Sequence, residues 1–244
     1  MTAWHEDPEF WTLFGPALGQ SADAQRDVDG FIELCRPPDG ARVLDLGCGL
    51  GHHSLCLARK GLSVTALDTS AHRLRRLSSI ARDEHLDVEI VRRDMRLFHR
   101  PHHFHGILWA GDAVGLFHDA QTEHALLHTL WDALQTGGRL VIVARGKELA
   151  AKTLNQQSHM RIDDETVVLA DRVIDDGFGS TRTRFTRISP DSERHAECTW
   201  KLYSGAQLTA ALTTAGFTKV RIYGGLGRVR YDHQAEHLVA IAER

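Results

Sequence analysis

Three glycines, Gly47, Gly49 and Gly51, follow an apolar run and precede a helical pattern in residues 43–61, VLDLGCGLGHHSLCLARKG. Because glycine has no Cβ, such a loop can turn sharply and let a ligand lie against its backbone. The helix that begins after the loop adds N–H groups without intrahelical partners. A dinucleotide fingerprint, GxGxxG, would require another glycine where this chain has His52. The spacing therefore predicts a ligand-binding loop and disfavours a nicotinamide dinucleotide.

Acidic residues end two further apolar runs. Asp68 ends VTALD, and Asp94 follows IVRR. Together with Asp45, they would place one carboxylate at the carboxyl end of each of the first three strands of a parallel sheet. Ligands bind at this edge of an open α/β sheet, and an acid beyond the second strand can accept hydrogen bonds from ribose hydroxyls. Each acid alone also fits a helix cap or a turn, but their combination with the glycine loop favours a ligand that carries a ribose.

Short apolar runs alternate with helical patterns through the first half of the chain. The alternation predicts βαβ units, a parallel sheet covered on both faces and, with right-handed crossovers, a doubly wound α/β layout. A turn at residues 136–138, Thr-Gly-Gly, is expected to separate the last of these helices from the fifth strand. The predicted strands are residues 41–46, 62–67, 88–92, 104–110 and 139–144, and the predicted helices are residues 54–60, 70–84 and 121–134.

The second half of the chain has a different pattern. Partly alternating strands separated by Asp-Gly and Ser-Pro turns indicate a small antiparallel insertion after the fifth strand. We expect a single domain over residues 1–244, with an N-terminal cap at 1–35 and the inserted strands within about 150–204. The predicted elements of this half are strands 166–174, 181–188 and 196–203, a helix at 205–215, and strands 219–223 and 236–242.

The pattern DxGxGxG in a strand–loop–helix context, with acids at Asp68 and Asp94, resembles motif I and the following strand ends of the class I S-adenosylmethionine (SAM)-dependent methyltransferases. Residues 134–140, LQTGGRL, resemble the turn before the fifth strand of that family. Residues 202–224 resemble the C-terminal half of its bacterial small-molecule subgroup. The resemblance implies a Rossmann-like, doubly wound sheet of seven mostly parallel strands, with an antiparallel insertion after the fifth. It also implies SAM as the cofactor.

Cofactor-binding roles follow from this resemblance. Asp68 would bind both ribose hydroxyls, Asp94 would accept a hydrogen bond from the adenine amino group, and the backbone N–H of Met95 would meet the ring. Leu74 is expected to cover the adenine face. The residues expected at the cofactor are Asp45, Gly47, Cys48, Gly49, Gly51, His53, Asp68, Thr69, Asp94, Met95 and Trp109.

The activity implied by the resemblance is methyl transfer from SAM to a nitrogen or oxygen of a small molecule. An acceptor hydroxyl or ammonium must lose a proton, usually to His, Asp, Glu or Tyr. Asp112 is the preferred base because it follows the fourth strand, where the methyl group should point; a helix cap or a solvated carboxylate is the alternative. The predicted catalytic residues are Asp112, Tyr203 and His118, and the predicted substrate-binding residues are Trp11, Asp112, Tyr203 and Tyr231.

Residues 113–117 depart from the subgroup. They read AVGLF where the subgroup usually has Ser-Phe-Gly-Tyr-Phe, so a hydroxyl and a phenol are absent. The sequence therefore leaves the identity of the methyl acceptor undetermined. A second hypothesis is an enzyme of this fold that uses SAM in cyclisation or other chemistry. A regulatory binding protein is a weaker alternative because the three acids are intact. A nicotinamide oxidoreductase is weaker still because of His52.

Composition and charge exclude other classes. The 244 residues carry a net charge of −3 with dispersed cations, which disfavours a nucleic-acid partner. The chain contains no run of about 18 apolar residues, so we expect no membrane span, and the N-terminus shows no signal pattern, so we expect a cytoplasmic protein. Scattered cysteines and a proline-containing histidine run at 99–105 predict no metal site. The expected partner is a small-molecule substrate, and the resemblance implies a monomer or homodimer.

Overall fold

The described part of the chain forms one sheet of seven strands and a second sheet of four. This computed structural model describes residue 4 and residues 7–18, 24–153, 157–175 and 177–244, apart from the side chains of Pro8, Asp112 and Thr153. The strands are β1 (Arg42–Leu46), β2 (Ser63–Asp68), β3 (Val88–Arg92), β4 (Phe104–Ala110), β5 (Leu134–Ala144), β6 (Gln157–Arg161), β7 (Val167–Ile174), β8 (Ser180–Ser189), β9 (Ser192–Lys201), β10 (Thr218–Tyr223) and β11 (Leu238–Glu243).

The large sheet has the strand order β10-β11-β5-β4-β1-β2-β3. Neighbouring strands are parallel, except that β11 runs antiparallel to both β5 and β10. The chain moves outward from β1 through β2 to β3 and then returns to the other side of β1 with β4. The carboxyl ends of β1 and β4 therefore flank a topological switch point, where open α/β sheets bind ligands. The predicted mostly parallel, doubly wound sheet is confirmed.

Helices cover both faces of this sheet. The helices of the described residues are α1 (Pro8–Leu13), α2 (Ala24–Cys35), α3 (His52–Arg59), α4 (Ala71–Asp83), α5 (Ala120–Ala133), α6 (Lys147–Thr153) and α7 (Gly205–Thr214). Successive strand residues point to opposite faces, so Val43 packs in a core with α2 and α3, and Leu44 packs in another core with α5 and α7. Burial on both faces explains why these strands read as continuous apolar runs. Among the described residues, no helix has the length and apolar character needed to cross a membrane.

The second sheet lies in the chain between β5 and α7, in the antiparallel order β6-β7-β8-β9. An antiparallel insertion is confirmed at this place, but the prediction of three strands is wrong, because β6 is a fourth. The helix α6 was not predicted either. The β6 segment, QSHMR, lacks β-branched residues and a clear apolar alternation, so its pairing with β7 decides its conformation.

The predicted separation of helix and strand at residues 136–138 is also wrong. Helix α5 ends at Ala133, and β5 already begins at Leu134, which pairs with Phe104 of β4. The glycine-rich segment instead forms an irregularity within β5, where the register with β4 shifts between Phe104 and Gly106. The strand pairs between β4 and β5 are thus interrupted between Leu134 and Arg139, and Gly137 in that interval has a φ of 76°.

The N-terminal segment packs against the inserted sheet. The rings of Phe10 in α1 and Phe14 just after it lie 5.5 Å apart, and Phe14 lies 5.9 Å from Phe185 of β8. These residues share an apolar cluster with Val168 of β7. Helix α2, in contrast, packs against the large sheet. Within the cap expected at residues 1–35, the described residues 7–18 therefore include a part that packs on the insertion, and α2 packs on the large sheet.

Candidate functional site

A cleft of about 560 Å³, counting the open solvent at its mouth, lies beyond the carboxyl ends of β1, β2, β3 and β4. The lining combines two carboxylates, two guanidinium groups and mainly apolar side chains. These residues are Trp11, Gly47, Leu67, Asp68, Thr69, Arg73, Arg93, Asp94, Met95, Ala113, Leu116 and Phe117.

The glycine loop after β1 presents bare backbone to this cleft. Gly47 has a φ of 72° and Gly51 a φ of 78°, a left-handed conformation that favours glycine. The N–H groups of Gly47 and Cys48 both donate to the carbonyl of Leu67, at 2.8 and 2.9 Å. A Cβ on Gly47 would stand 2.5 Å from the Cβ of Ala113. Both the left-handed backbone conformation of Gly47 and the proximity of Ala113 therefore require a glycine at this position.

Asp68 joins the end of β2 to this loop. Its Oδ2 accepts from the N–H of Gly49 at 2.9 Å, and its Oδ1 accepts from the N–H of Ser70 at 2.8 Å. A carboxylate has about four lone-pair positions, so each oxygen keeps capacity for one further donor. Because the carboxylate is fixed and lines the cleft, its geometry fits a ligand with two adjacent hydroxyls.

Asp45 lies behind the loop and not in the lining of the cleft. It is 2% exposed, and its Oδ2 accepts from the hydroxyl of Ser54 in α3 at 2.5 Å. Burial raises the pKa of this carboxyl. The contact ties the end of β1 to α3, so Asp45 shapes the loop through Ser54.

Asp94 lines the cleft beside Met95, but its carboxylate already has a partner. It caps the short 3-10 helix Met95–Leu97 by accepting from the N–H of Arg96 at 2.8 Å. The guanidinium of Arg96 donates to both carboxylate oxygens, with Nε at 3.0 and 2.9 Å. An amino group of a ligand that binds Asp94 would therefore share the carboxylate with Arg96 or replace the hydrogen bonds from Arg96.

Several residues expected at the cofactor lie beside the cleft without lining it. Trp109 is 4% exposed, and its indole N–H donates to the carbonyl of Ala113 at 3.0 Å, which holds the turn after β4. Leu74 is buried in a cluster with Leu55 and Leu77. Thr69, in contrast, lines the cleft as expected.

His53, in the first turn of α3, pairs with Asp27 of α2 at 3.1 Å. Burial lowers the pKa of this imidazole, but the hydrogen bond to Asp27 and the charges of Asp45 and Asp27 together raise it above its ordinary value of 6.5. The pair fastens α2 to the helix that follows the glycine loop.

We expect the contribution of His53 to stability to depend on pH. Its pKa is higher in the folded protein, so the contribution is complete below the unfolded value of about 6.5 and is lost as the pH rises through the folded value. Urea unfolding of the protein and its His53→Gln variant should differ more at about pH 5.5 than at about pH 8.5. Asp27→Asn should reduce the same pH dependence, and an equal difference at both pH values would contradict this account.

Part of the lining of the cleft is apolar. Ala113, Leu116 and Phe117 form it together with Trp11 from the N-terminal segment. The preceding Asp112 has its side chain outside the described part of the structure, so its role as a base stays a prediction. Its alternative role as the cap of α5 is filled by Asp119, which accepts from the N–H groups of Gln121 and Thr122.

The other predicted catalytic and substrate residues do not line the cleft. His118 is exposed, and its Nε2 lies 3.3 Å from the carbonyl of Thr199. The phenol of Tyr231 donates to Glu148 at 2.5 Å. Trp11 is the predicted substrate residue that the structure places in the lining.

Tyr203 belongs to a network around a buried carboxylate. Glu123 of α5 is 8% exposed and accepts from the phenol of Tyr203 and from the ammonium group of Lys201. Burial, followed by the charge and hydrogen bond of Glu123, raises the pKa of Tyr203. A phenol that stays protonated and donates to a carboxylate is a poor general base, so this arrangement favours a structural role.

We expect Tyr203→Phe to lower the free energy of unfolding by about 1–3 kcal/mol, because Glu123 loses a donor while remaining buried. The matched control is Tyr223→Phe in β10, which should stay within about 0.5 kcal/mol of the parent. Urea unfolding at neutral pH measures both. Equal stability of the two variants would contradict the network as a source of stability.

The arginines of the cleft were not predicted from the sequence. Arg73 follows Asp68 within one turn of the start of α4, and Arg93 immediately precedes Asp94. The signal that could have identified these arginines is their position in the sequence, close to acidic residues at the ends of predicted strands. Among the described residues, no group of three His, Cys, Asp or Glu is arranged to hold a metal ion.

Comparison with known proteins places this geometry in a family. Residues 43–138 match the model of a family described as a methyltransferase domain. A cypemycin N-terminal methyltransferase from Streptomyces sp is 36% identical over 108 residues, which are 44% of this chain and 43% of that protein. A ubiquinone biosynthesis O-methyltransferase from Xylella fastidiosa is 32% identical over 144 residues, 58% of this chain and 56% of that protein. The matched part thus spans about half the length of these relatives.

The fold extends the similarity to the whole chain. The CcbJ methyltransferase from Streptomyces caelestis superposes with a TM-score of 0.80, covering 99% of this chain and 98% of that one at 17% identity. The resemblance and the Rossmann-like fold predicted from the sequence are both confirmed. Residues 43–138 thus match a methyltransferase domain family, and the whole chain shares the fold of a methyltransferase.

Proposed function

We propose that this protein transfers the methyl group of SAM to a nitrogen or oxygen of a small molecule. The observation that carries the proposal is Asp68, fixed by two backbone N–H groups and facing a cleft beside the glycine loop. The names of the relatives support both acceptor atoms, since one is an N-terminal and the other an O-methyltransferase.

The residues of the cleft fit the parts of SAM. Asp68 would bind the ribose hydroxyls, and Thr69, Asp94 and Met95 would border the adenine. Glycine at Gly47 leaves the backbone accessible, since a side chain there would meet Ala113. SAM supplies an electrophilic methyl group on a sulfonium and leaves as a neutral thioether.

The protein's task is then to orient the acceptor. Ala113, Leu116, Phe117 and Trp11 would hold it against the methyl group and exclude water. Orientation of this kind can lower a barrier by roughly 7–11 kcal/mol. Asp112 is our candidate for pairing with a cationic amine or accepting its proton. We also propose a cytoplasmic, single-domain protein, monomeric or homodimeric, that has a small-molecule substrate and no nucleic-acid partner.

Calorimetry with S-adenosylhomocysteine (SAH), the demethylated cofactor, tests the proposal. We expect binding at micromolar protein, and no detectable heat would overturn it. Incubation with SAM and a panel of small amines and alcohols, followed by mass spectrometry, should show a methylated acceptor. Consumption of SAM without any acceptor would instead favour the alternative, an enzyme of this fold that carries out other chemistry on SAM.

A further inference from the structure

The segment between β4 and α5, residues 111–118, is held by two different parts of the fold. Its first half is held from β4, because the indole N–H of Trp109 donates to the carbonyl of Ala113 at 3.0 Å. Its second half is held from the inserted sheet, because the N–H of Lys201 at the end of β9 donates to the carbonyl of Gly115 at 2.8 Å. The inserted sheet therefore contacts the segment that follows the fourth strand of the large sheet.

Gly115 approaches β9 too closely for any other residue. It has a φ of 84°, in the region that favours glycine. A Cβ at this position would overlap the carbonyl oxygen of Lys201 and stand 3.3 Å from the carbonyl carbon and the nitrogen of that residue. These are backbone atoms of a strand that pairs with β8, so they cannot move aside as a side chain can. A side chain at residue 115 must therefore push the segment away from β9.

Lys201 is anchored by its side chain as well. Its ammonium group pairs with the buried carboxylate of Glu123 in α5, the helix that directly follows the segment. Two residues earlier in β9, the carbonyl of Thr199 lies 3.3 Å from Nε2 of His118, which donates to it because a carbonyl only accepts. Because β9 lies at the edge of its sheet, the edge that does not pair with β8 carries both Gly115 and His118.

The two residues between these contacts, Leu116 and Phe117, line the cleft. Phe117 is also contacted by Arg96 of the turn after β3, whose Cζ lies 5.2 Å from the centroid of the ring. Ala113, in the half held from β4, instead stands beside Gly47 of the glycine loop. The glycine loop thus meets the half of the segment that β4 holds, and β9 holds the half that carries Leu116 and Phe117.

We propose that Lys201 is a positioning residue for the methyl acceptor. Through Gly115 it sets the place of Leu116 and Phe117, and so decides which acceptors fit against the methyl group. Apolar side chains recognise a ligand through its shape and its apolar surface, so the acceptor class that these two side chains fit has an apolar part next to its nucleophilic nitrogen or oxygen. The inference rests on the proposed function and deepens it.

Replacement of Gly115 by alanine tests the inference. In a crystal structure with SAH, we expect Leu116 and Phe117 to move by about 1 Å or more, a displacement large enough to affect catalysis, while Ala113 keeps its place. For the acceptor that the unsubstituted protein methylates best in the panel of amines and alcohols, KM should rise at least about tenfold. SAH affinity, measured by calorimetry, should stay within about twofold.

Further variants isolate the contact with β9. Gly137→Ala introduces a Cβ at a φ of 76° with no atom within 4 Å, so it should change neither KM nor the cleft. Lys201→Met removes the ion pair with Glu123 and should raise KM, and Lys201→Arg, which keeps the charge, should restore KM toward the parent value. Variants with thermal transitions that match the parent are compared, and Lys201→Met carries the test if Gly115→Ala does not fold.

Unchanged positions of Leu116 and Phe117, or a KM equal to that of the parent, would overturn the inference. Equal weakening of SAH and of the acceptor would also overturn it, because the contact would then shape the whole cleft. If the unsubstituted protein fails to bind SAH or to methylate any member of the panel, the proposed function itself fails. Crystal structures without an acceptor would still decide whether Gly115 fixes Leu116 and Phe117.

Discussion

Replacement of Asp68 by alanine should weaken SAH binding by at least about tenfold, which corresponds to ~1.4 kcal/mol. Two losses contribute. The ligand loses an acceptor for its ribose hydroxyls, and the N–H groups of Gly49 and Ser70 lose the carboxylate that fixes them at 2.9 and 2.8 Å. A donor without its partner costs about 1–3 kcal/mol when it is not solvated, so the loop itself should become less ordered.

Two further variants serve as comparisons for this measurement. Asp68→Asn keeps one carbonyl oxygen and should fall between the parent and the alanine variant. Asp39→Ala removes an exposed carboxylate before β1 and should leave SAH affinity unchanged. Calorimetry at one pH and salt concentration compares them. Unchanged affinity in Asp68→Ala would remove the ribose assignment, even if the protein still binds SAH.

Replacement of Gly47 by alanine should abolish measurable SAH binding. The residue has a φ of 72°, which costs an alanine about 1–2 kcal/mol. Its new Cβ would also stand 2.5 Å from the Cβ of Ala113, so the loop or the turn after β4 must move. Either movement alters the cleft, because both residues line it.

Two further variants separate the effect of backbone strain at a positive φ from the effect of the contact with Ala113. Gly61 has a φ of 82° and no atom within 4 Å of its would-be Cβ, so Gly61→Ala should lower stability by about 1–2 kcal/mol and preserve SAH affinity. Gly47→Ala combined with Ala113→Gly removes the contact and should recover part of the affinity. Normal binding by Gly47→Ala alone would show that the loop does not approach the ligand as closely as proposed.

The N-terminal segment connects the cleft to the inserted sheet. Trp11 forms a wall of the cleft, and the neighbouring Phe10 packs in a cluster with Phe185 and Val168 of that sheet. Trp11 is therefore positioned by the insertion, whereas the other lining residues follow directly after β1 to β4 or belong to the ends of these strands. Acceptor selection would then depend on contacts between segments more than 150 residues apart in the chain, because Phe10 and Phe185 are paired across it.

The sequence by itself determined the layered fold and the positions of the glycine loop and of Asp68 at the ends of their strands. Parallel strands buried on both faces must be continuously apolar, so β1 to β5 were visible as short runs between helical patterns. The loop that carries Gly47 needs glycine for local reasons, and Asp68 ends a strand directly. Each of these signals is contained in a few consecutive residues, which is why it could be read without a structure.

Only the tertiary structure decided which side chains meet. His53 pairs with Asp27 and Tyr203 with Glu123, contacts 26 and 80 positions apart in the chain. Arg73 of α4 meets Trp11 of α1 in the same way. The apolar pattern of an element specifies which face it buries but not which element covers that face. Contacts between elements are fixed when the layers pack, and for this reason Tyr203 proved to be part of a buried network and Arg73 a residue of the cleft.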